Sequence, residues 1–211
     1  MFREIDHFEV TRVHGMNSLL SLSEAHVLWR QTKELRERSE NESWEEKFQT
    51  ADATGARLWA AESSIFSRLA QTILLYQASM EAILSNVASQ NESVAAAAKT
   101  GGFKQQWLDA LEAVGQPSAE FRAYEQEFYK EMRIPLTHLH PNSDVKLAKV
   151  NRIDFPKVYA GVRYGWWAHI RLLIGIGLAS PDIESNWAYI CSGVNLPSDL
   201  FPDLHPTRLA E

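Results

Sequence analysis

The feature that most constrains the fold of this sequence is the position of its prolines, because all eight lie at or after Pro117. Proline breaks the interior of a helix, so everything before Pro117 is free to form long helices. Ser43 and Glu46 have the spacing of a capping box, and the proline-free stretch that follows them contains only Gly55 as a weak point. We therefore predict one dominant helix over residues 44–90.

Apolar residues recur along this predicted helix at helical spacing and form a seam that faces a neighbouring helix over several turns. A second stripe flanks the seam, so the helix is expected to contact more than one partner, as in a bundle. The seam contains Phe66, Leu69, Ile73, Tyr76, Met80, Ile83 and Val87, and the second stripe contains Leu74, Gln77, Glu81, Leu84 and Ala88.

The segments on either side of this helix give weaker signals. Residues 7–13 alternate in a way that favours one short strand, and Ser21 with Glu24 repeats the capping-box spacing ahead of a helix over 22–38. Residues 91–102 lose their large apolar side chains and end in paired glycines, so we expect a loop there.

The second half of the chain predicts three more helices. The first covers residues 103–114, and the second begins after Ser118 and ends near Arg133 because of Pro135. The third begins at Asp154, ahead of Pro156, and extends to about residue 179. The expected buried face of the second helix contains Phe121, Tyr124, Phe128 and Met132, and the third carries Gly161 and Gly165, which would let another backbone approach closely.

These patterns together predict an all-α fold, an antiparallel helical bundle with long central helices and an irregular, proline-containing C-terminal tail. We expect a single domain over residues 1–211, with an N-terminal segment at 1–42 and a C-terminal arm at 191–211 that begins at Cys191.

Charge and cysteine content exclude several classes of protein. The net charge of −6 excludes a uniformly basic surface that coats nucleic acid, and the single Cys191 excludes a disulfide framework or a four-cysteine zinc site. The first residues lack the apolar core of a signal peptide, and no apolar stretch is long enough to span a membrane. We therefore expect a soluble cytoplasmic protein that does not associate with membranes.

The most informative motif is RIPLTH, in which four residues separate Arg133 from His138. Arginine is a fixed cation, and histidine exchanges a proton near neutral pH. In phosphodiester chemistry the imidazole can move the proton while the guanidinium stabilises charge on the phosphate oxygens, with no metal required.

This motif resembles the signature of the HEPN superfamily, an arginine followed after four to six residues by a histidine, late in an all-α bundle. The preceding bundle helix of that superfamily carries small residues and a glutamate, and QASMEAIL at residues 77–84 looks like that element. The resemblance covers approximately residues 43–179. HEPN nucleases commonly have a polar residue directly after the arginine, whereas this chain has Ile134 followed by Pro135.

The resemblance implies a homodimer in which both copies of the motif meet in one cleft. Many members of the superfamily cut RNA without a metal and use the ribose 2′-hydroxyl as nucleophile. It further implies that Arg133 binds the scissile phosphate, that His138 acts as general base or acid, and that Glu81 orients one of them. The expected partner is therefore RNA or a nucleotide, and no cofactor is predicted.

A basic stretch directly follows the motif. Residues 144–171 carry a net charge of +4, and Lys146, Lys149 and Arg152 are candidates for phosphate contacts with RNA. The aromatic residues in this stretch have helical spacing, so we expect Trp166 or Trp167 to be mainly buried in the core.

Two alternatives from other functional classes remain open at this point. One is a non-catalytic module whose exposed apolar stripes form a dimer. The other is a metal-dependent bundle enzyme in which His138 and His140 form an HxH pair, with His169 or Glu81 as the third ligand.

Overall fold

The computed structural model of the chain describes residues 7–49, 53–138, 149–150 and 152–179, with side chains from residue 13 onward. These residues form an all-α bundle, and none of them lies in a strand. The helices are α1 (His7–Gln31), α2 (Lys33–Asn41), α3 (Trp44–Phe48), α4 (Thr54–Gln90), α5 (Glu92–Ala97), α6 (Phe103–Ala113), α7 (Ala119–Ala123), a π-helix (Tyr124–Arg133), α8 (Ile134–Thr137) and α9 (Phe155–Gly175).

The two longest helices, α1 and α4, lie antiparallel along each other. The Thr72 hydroxyl donates to the Ser18 carbonyl at 3.3 Å, and Arg68 pairs with Glu24 at 2.9 Å. Six of the seven residues of the predicted seam of α4 are buried, with Ile73 and Met80 fully inaccessible, and Phe66 is half-buried. Its second stripe is split: Gln77 and Leu84 are buried, whereas Leu74 and Glu81 are exposed.

Two N-terminal predictions are wrong. Residues 7–13 belong to α1 and not to a strand, since a strand requires a pairing partner and every other described segment of comparable length is helical. Ser21 does not begin a helix but lies buried inside α1, so its spacing from Glu24 is not a capping box. The described chain bends instead at Thr32, whose hydroxyl donates to the Leu28 carbonyl at 2.9 Å.

The capping box at Ser43 is confirmed, but the helix that it begins is short. The Glu46 amide donates to the Ser43 hydroxyl, and the Ser43 amide donates to the Glu46 carboxylate at 2.8 Å. Helix α3 ends at Phe48, and α4 begins separately at Thr54. A methyl group at Gly55 would collide with Lys47 and Phe48, so the chain folds back tightly here and the single helix over 44–90 is wrong.

The loop predicted over residues 91–102 is also wrong in part, because α5 occupies its first half. The Asn91 side chain caps this helix by accepting from the Val94 amide at 3.1 Å, and Val94 is fully buried. This run lacks large apolar side chains, but alanine has the highest helix propensity of any residue, which explains why the run is helical.

The later helices agree closely with the sequence, except that part of the second is a π-helix. Asp154 caps α9 by accepting from the Lys157 amide at 3.0 Å, and Trp167 is buried as expected. Both glycines are sites of close approach, but by aromatic side chains and not by the backbone that was predicted: a methyl group at Gly161 would collide with Phe128 and one at Gly165 with Tyr76 and Tyr124. Helix α9 thus packs tightly against the π-helix and α4. Within the described ranges, no helix combines the length and apolar character needed to cross a membrane.

Candidate functional site

Arg133 is the last residue of the π-helix, and its guanidinium lies over an aromatic ring. The central carbon of the guanidinium is 5.4 Å from the centroid of Tyr129, and the half-buried arginine side chain remains partly open to solvent. The Tyr129 ring in turn stacks on Phe103 of α6, with centroids 5.2 Å apart and planes at 27°. A cation held in this way has fewer conformations available to it than one on a free surface.

The π-helix itself ends where the motif begins. The amide of Ile134 donates to the carbonyl of Tyr129, five residues earlier, which is the wide-turn pattern of a π-helix. Pro135 lacks an N–H and would clash with the carbonyl four residues before it in a continuing α-helix. It is instead accommodated in the first turn of α8, where no donor is required of it. The prediction that the helix ends at Arg133 is therefore right for the π-helix, but the chain stays helical to Thr137.

A chain of hydrogen bonds connects the buried interior to the surface at Glu81. The Tyr124 hydroxyl donates to the Gln77 side-chain oxygen at 2.8 Å, and the Gln77 amide donates to Glu81 Oε1 at 2.8 Å. Tyr124 and Gln77 are buried, whereas Glu81 is exposed. Each buried polar atom of this chain thus has a partner, as the low dielectric of a core requires.

Burial dominates the pKa of Tyr124. It raises this pKa well above its usual value; the negative charge of Glu81 raises it further, and the positive charge of Arg133 lowers it. The hydrogen bonds through Gln77 connect Glu81 to the Tyr124 hydroxyl. No ion pair joins Glu81 to Arg133 in the described part of the chain, so the carboxylate does not orient the guanidinium by direct contact.

Glu81 also lines a groove of about 370 Å³ between α4, α5 and α6. Ser85, Lys99, Phe103 and Gln106 supply the other polar or aromatic contributions, and Leu84 and three alanines complete the walls. Phe103 is shared between this groove and the stack that supports Arg133. The groove and the arginine are therefore parts of one surface.

His138, the third predicted catalytic residue, is exposed at the C-terminal end of α8, where its amide donates to the Ile134 carbonyl at 3.0 Å. A helix rises about 1.5 Å and turns about 100° per residue, so His138 lies about 7.5 Å beyond Arg133 and about 140° around the axis. The two residues do not share one face of this helix.

The predicted phosphate contacts lie in a different groove, of about 490 Å³, between the π-helix and the start of α9. Lys149 pairs there with Glu131 at 2.7 Å, whereas Arg152 is exposed and forms no ion pair with any described residue. Lys146 lies outside the described residues. This groove shares no lining residue with the one that contains Glu81.

The residues of the predicted HxH metal site are only partly described, because His140 lies outside the described ranges. Among the residues that the structure does describe, no three histidine, cysteine, aspartate or glutamate side chains are grouped so as to hold a metal ion. His169, named as a third ligand, packs edge-on against Trp166, and burial lowers the pKa of its imidazole to about 4.

The sequence analysis missed several residues of this surface. Tyr129 lies four residues before Arg133, and the spacing of these residues could have indicated a helical contact. Gln77, a polar residue beside the apolar seam of α4, was a visible signal of a buried hydrogen bond. The π-helix and the roles of Lys99 and Gln106 had no sequence signal that we recognise. Comparison with protein-family models, with curated proteins and with solved structures gives no match to this chain.

Proposed function

We propose that this protein is a metal-independent endoribonuclease of HEPN type that acts as a homodimer. The observation that carries the proposal is the arrangement around Arg133: a solvent-reachable guanidinium held over Tyr129, beside a groove that contains Glu81. A preorganised cation stabilises charge that develops on a phosphate more effectively than a flexible one. The RIPLTH motif supplies the proton-transfer group, His138, five residues later.

In the proposed reaction the ribose 2′-oxygen attacks the adjacent phosphorus while a base removes its proton. The bond from phosphorus to the 5′-oxygen of the next nucleotide breaks, and that oxygen receives a proton. The products are a 2′,3′-cyclic phosphate and a free 5′-hydroxyl, so atoms and charge balance without a metal or an oxidant. His138 serves as base or acid, and Arg133 stabilises the phosphate oxygens.

The rotation between the two groups supports the proposed dimer. Because Arg133 and His138 lie about 140° apart around the helix axis, a cleft formed with a second copy provides a way for arginine and histidine to face the same phosphate. A second copy also supplies a second imidazole, so that one can act as base and the other as acid.

The proposal is tested by cleavage of single-stranded RNA in the presence of a chelator. We expect His138→Ala to abolish cutting with little change in melting temperature, since the residue is exposed at a helix end. Arg133→Lys should reduce cutting because lysine cannot form the planar two-pronged contact. Arg122→Lys is the matched control, since Arg122 is an exposed arginine of α7 that bonds only to Ser118 among the described residues. Undiminished cutting by His138→Ala would contradict the proposal.

A specific observation favours one second candidate, a non-catalytic dimerisation module. Val13, Leu20 and Val27 are exposed on α1 and are spaced by seven residues, so they form one apolar stripe. In this case Leu20→Glu would dissociate the dimer in light-scattering measurements, and neither Arg133→Lys nor His138→Ala would change the oligomeric state.

A further inference from the structure

We propose that the groove between α4, α5 and α6 is a base-recognition site that selects guanine in the RNA strand. This inference rests on the proposed function, because it takes RNA as the ligand. It adds a substrate preference, and it gives Glu81 the role of a specificity residue that contacts the base.

The position of the groove relative to Arg133 suits a nucleotide. Phe103 lines the groove and stacks on Tyr129 with ring centroids 5.2 Å apart, and the central carbon of the Arg133 guanidinium lies over that tyrosine ring, 5.4 Å from its centroid. A base in the groove and its 3′-phosphate at Arg133 would cover this span. The groove volume of about 370 Å³ leaves room for a purine, and the Phe103 ring offers an apolar wall against which a base can pack.

The charged groups of the groove are not engaged by opposite charges. Neither Glu81 nor Lys99 belongs to any ion pair of the described residues. The neighbouring lysines differ in this respect, since Lys104 and Lys130 both pair with the buried carboxylate of Glu125. Glu81 accepts a hydrogen bond from Gln77 on Oε1, which fixes the carboxylate and leaves it with further acceptor capacity.

The chemistry of this lining matches guanine better than the other bases. Guanine presents two adjacent donors, N1–H and the exocyclic amino group, and one carboxylate can accept a hydrogen bond from each. Its O6 atom lies beside these donors and can accept a hydrogen bond from Lys99 or Gln106. Adenine and cytosine would turn a ring nitrogen lone pair toward the Glu81 carboxylate. Uracil offers it a single N–H between two carbonyl oxygens. The Glu81 carboxylate thus repels the edges of the other three bases, and this repulsion contributes to the selection of guanine together with the attraction of its two donors.

The test compares binding of guanosine 3′-monophosphate and inosine 3′-monophosphate by calorimetry. Inosine lacks only the exocyclic amino group, so it removes one of the two hydrogen bonds to Glu81. We expect wild-type protein to bind the inosine nucleotide about 10-fold more weakly, and the adenosine, cytidine and uridine nucleotides about 10- to 100-fold more weakly, than the guanosine nucleotide. Equal affinity for the guanosine and inosine nucleotides, or no binding of either, would overturn the inference without any variant being made.

Glu81→Gln tests the residue itself. Glutamine retains the shape and still accepts from Gln77, so the buried hydrogen bonds of Tyr124 are preserved. We expect this variant to bind the guanosine and inosine nucleotides equally. Glu112→Gln is the matched control, because Glu112 is an exposed glutamate of α6 outside the groove, and it should keep the wild-type preference. A guanine preference that survives in Glu81→Gln would exclude this role for Glu81.

The two proposals can fail separately. If the protein selects guanine nucleotides but cuts no RNA, the groove assignment stands as a nucleotide site and the nuclease proposal falls. If it cuts RNA next to all four bases at equal rates, the nuclease proposal stands and the groove assignment falls.

Discussion

Replacing Gly161 with alanine tests the close approach that positions the π-helix. The glycine lies inside α9, where an added methyl group would meet the side chain of Phe128, with Phe128 Cβ at 2.8 Å and Cγ at 2.9 Å. Phe128 is fully inaccessible and is stacked on Tyr124 at 5.1 Å, so the ring has no free space into which it can move. The strain must therefore be relieved by separating α9 from the π-helix that carries Arg133.

The size of the effect follows from two opposing terms. Overpacking a filled core costs about 1–3 kcal/mol, and the rigid surroundings of Phe128 favour the upper end of that range. Alanine is a better helix former than glycine by about 1 kcal/mol, which offsets part of the cost. The net destabilisation is about 2 kcal/mol, equivalent to a fall of about 4–8 °C in melting temperature for a chain of this length.

Thermal and urea unfolding of Gly161→Ala measure this difference directly. The matched comparison is the same substitution in a Phe128→Ala background, where Cγ and the ring are absent and only Cβ remains, so the added methyl group should be tolerated better. A rise in melting temperature for the single variant would mean that helix propensity alone decides the outcome. Such a rise would refute the close packing of α9 on the π-helix.

Three further predictions concern other parts of the structure. Glu125→Gln removes a carboxylate that is 7% exposed and paired with Lys104 and Lys130. We expect it to lower the free energy of unfolding by about 1–2 kcal/mol in urea titrations, and the loss is limited because both ammonium groups can reach water. Unchanged stability would contradict this pairing. The pKa of His169 is lowered to about 4, so between pH 6.5 and 4 the unfolded chain binds a proton that the folded chain does not. The contribution of His169 to the free energy of unfolding should therefore be constant above pH 6.5 and fall as the pH decreases to 4. This part of the pH dependence should be lost in His169→Gln. Tyr129→Leu removes the ring beneath Arg133 and should lower the rate of RNA cleavage about 2- to 5-fold, whereas Tyr129→Phe keeps the ring and should not. Equal cleavage rates in the wild-type protein and both variants would contradict the supporting role of the stack.

Long-range patterns predicted the fold well, whereas short ones did not. The seam of α4 extends over several turns, and each turn adds independent information about its buried face. The two glycines of α9 were identified as sites of close approach, although aromatic side chains and not a second backbone lie against them. By contrast, the capping-box spacing occurs both at a real helix start, Ser43, and inside a helix, Ser21, so the pattern alone does not separate them. The strand at residues 7–13 failed because antiparallel packing of α1 against α4 overrides local preference.

The candidate site was less predictable than the fold. The motif named Arg133 and His138, and the resemblance named Glu81, but neither indicated the hydrogen bonds that connect Glu81 through Gln77 to Tyr124. That hydrogen-bonded chain joins residues 47 positions apart, so no local spacing reveals it. The π-helix likewise had no local signal, and within Tyr124–Arg133 its wide turns shift side-chain directions relative to an α-helical projection.

The most direct test of the central claim is phosphorus NMR of the products formed from a short single-stranded RNA in excess chelator. The account predicts a 2′,3′-cyclic phosphate signal with wild-type protein, and none with His138→Ala or with RNA that lacks the 2′-hydroxyl at the cut nucleotide. Products that end in a linear phosphate, cleavage that requires an added metal, or a cyclic phosphate formed by His138→Ala would contradict it.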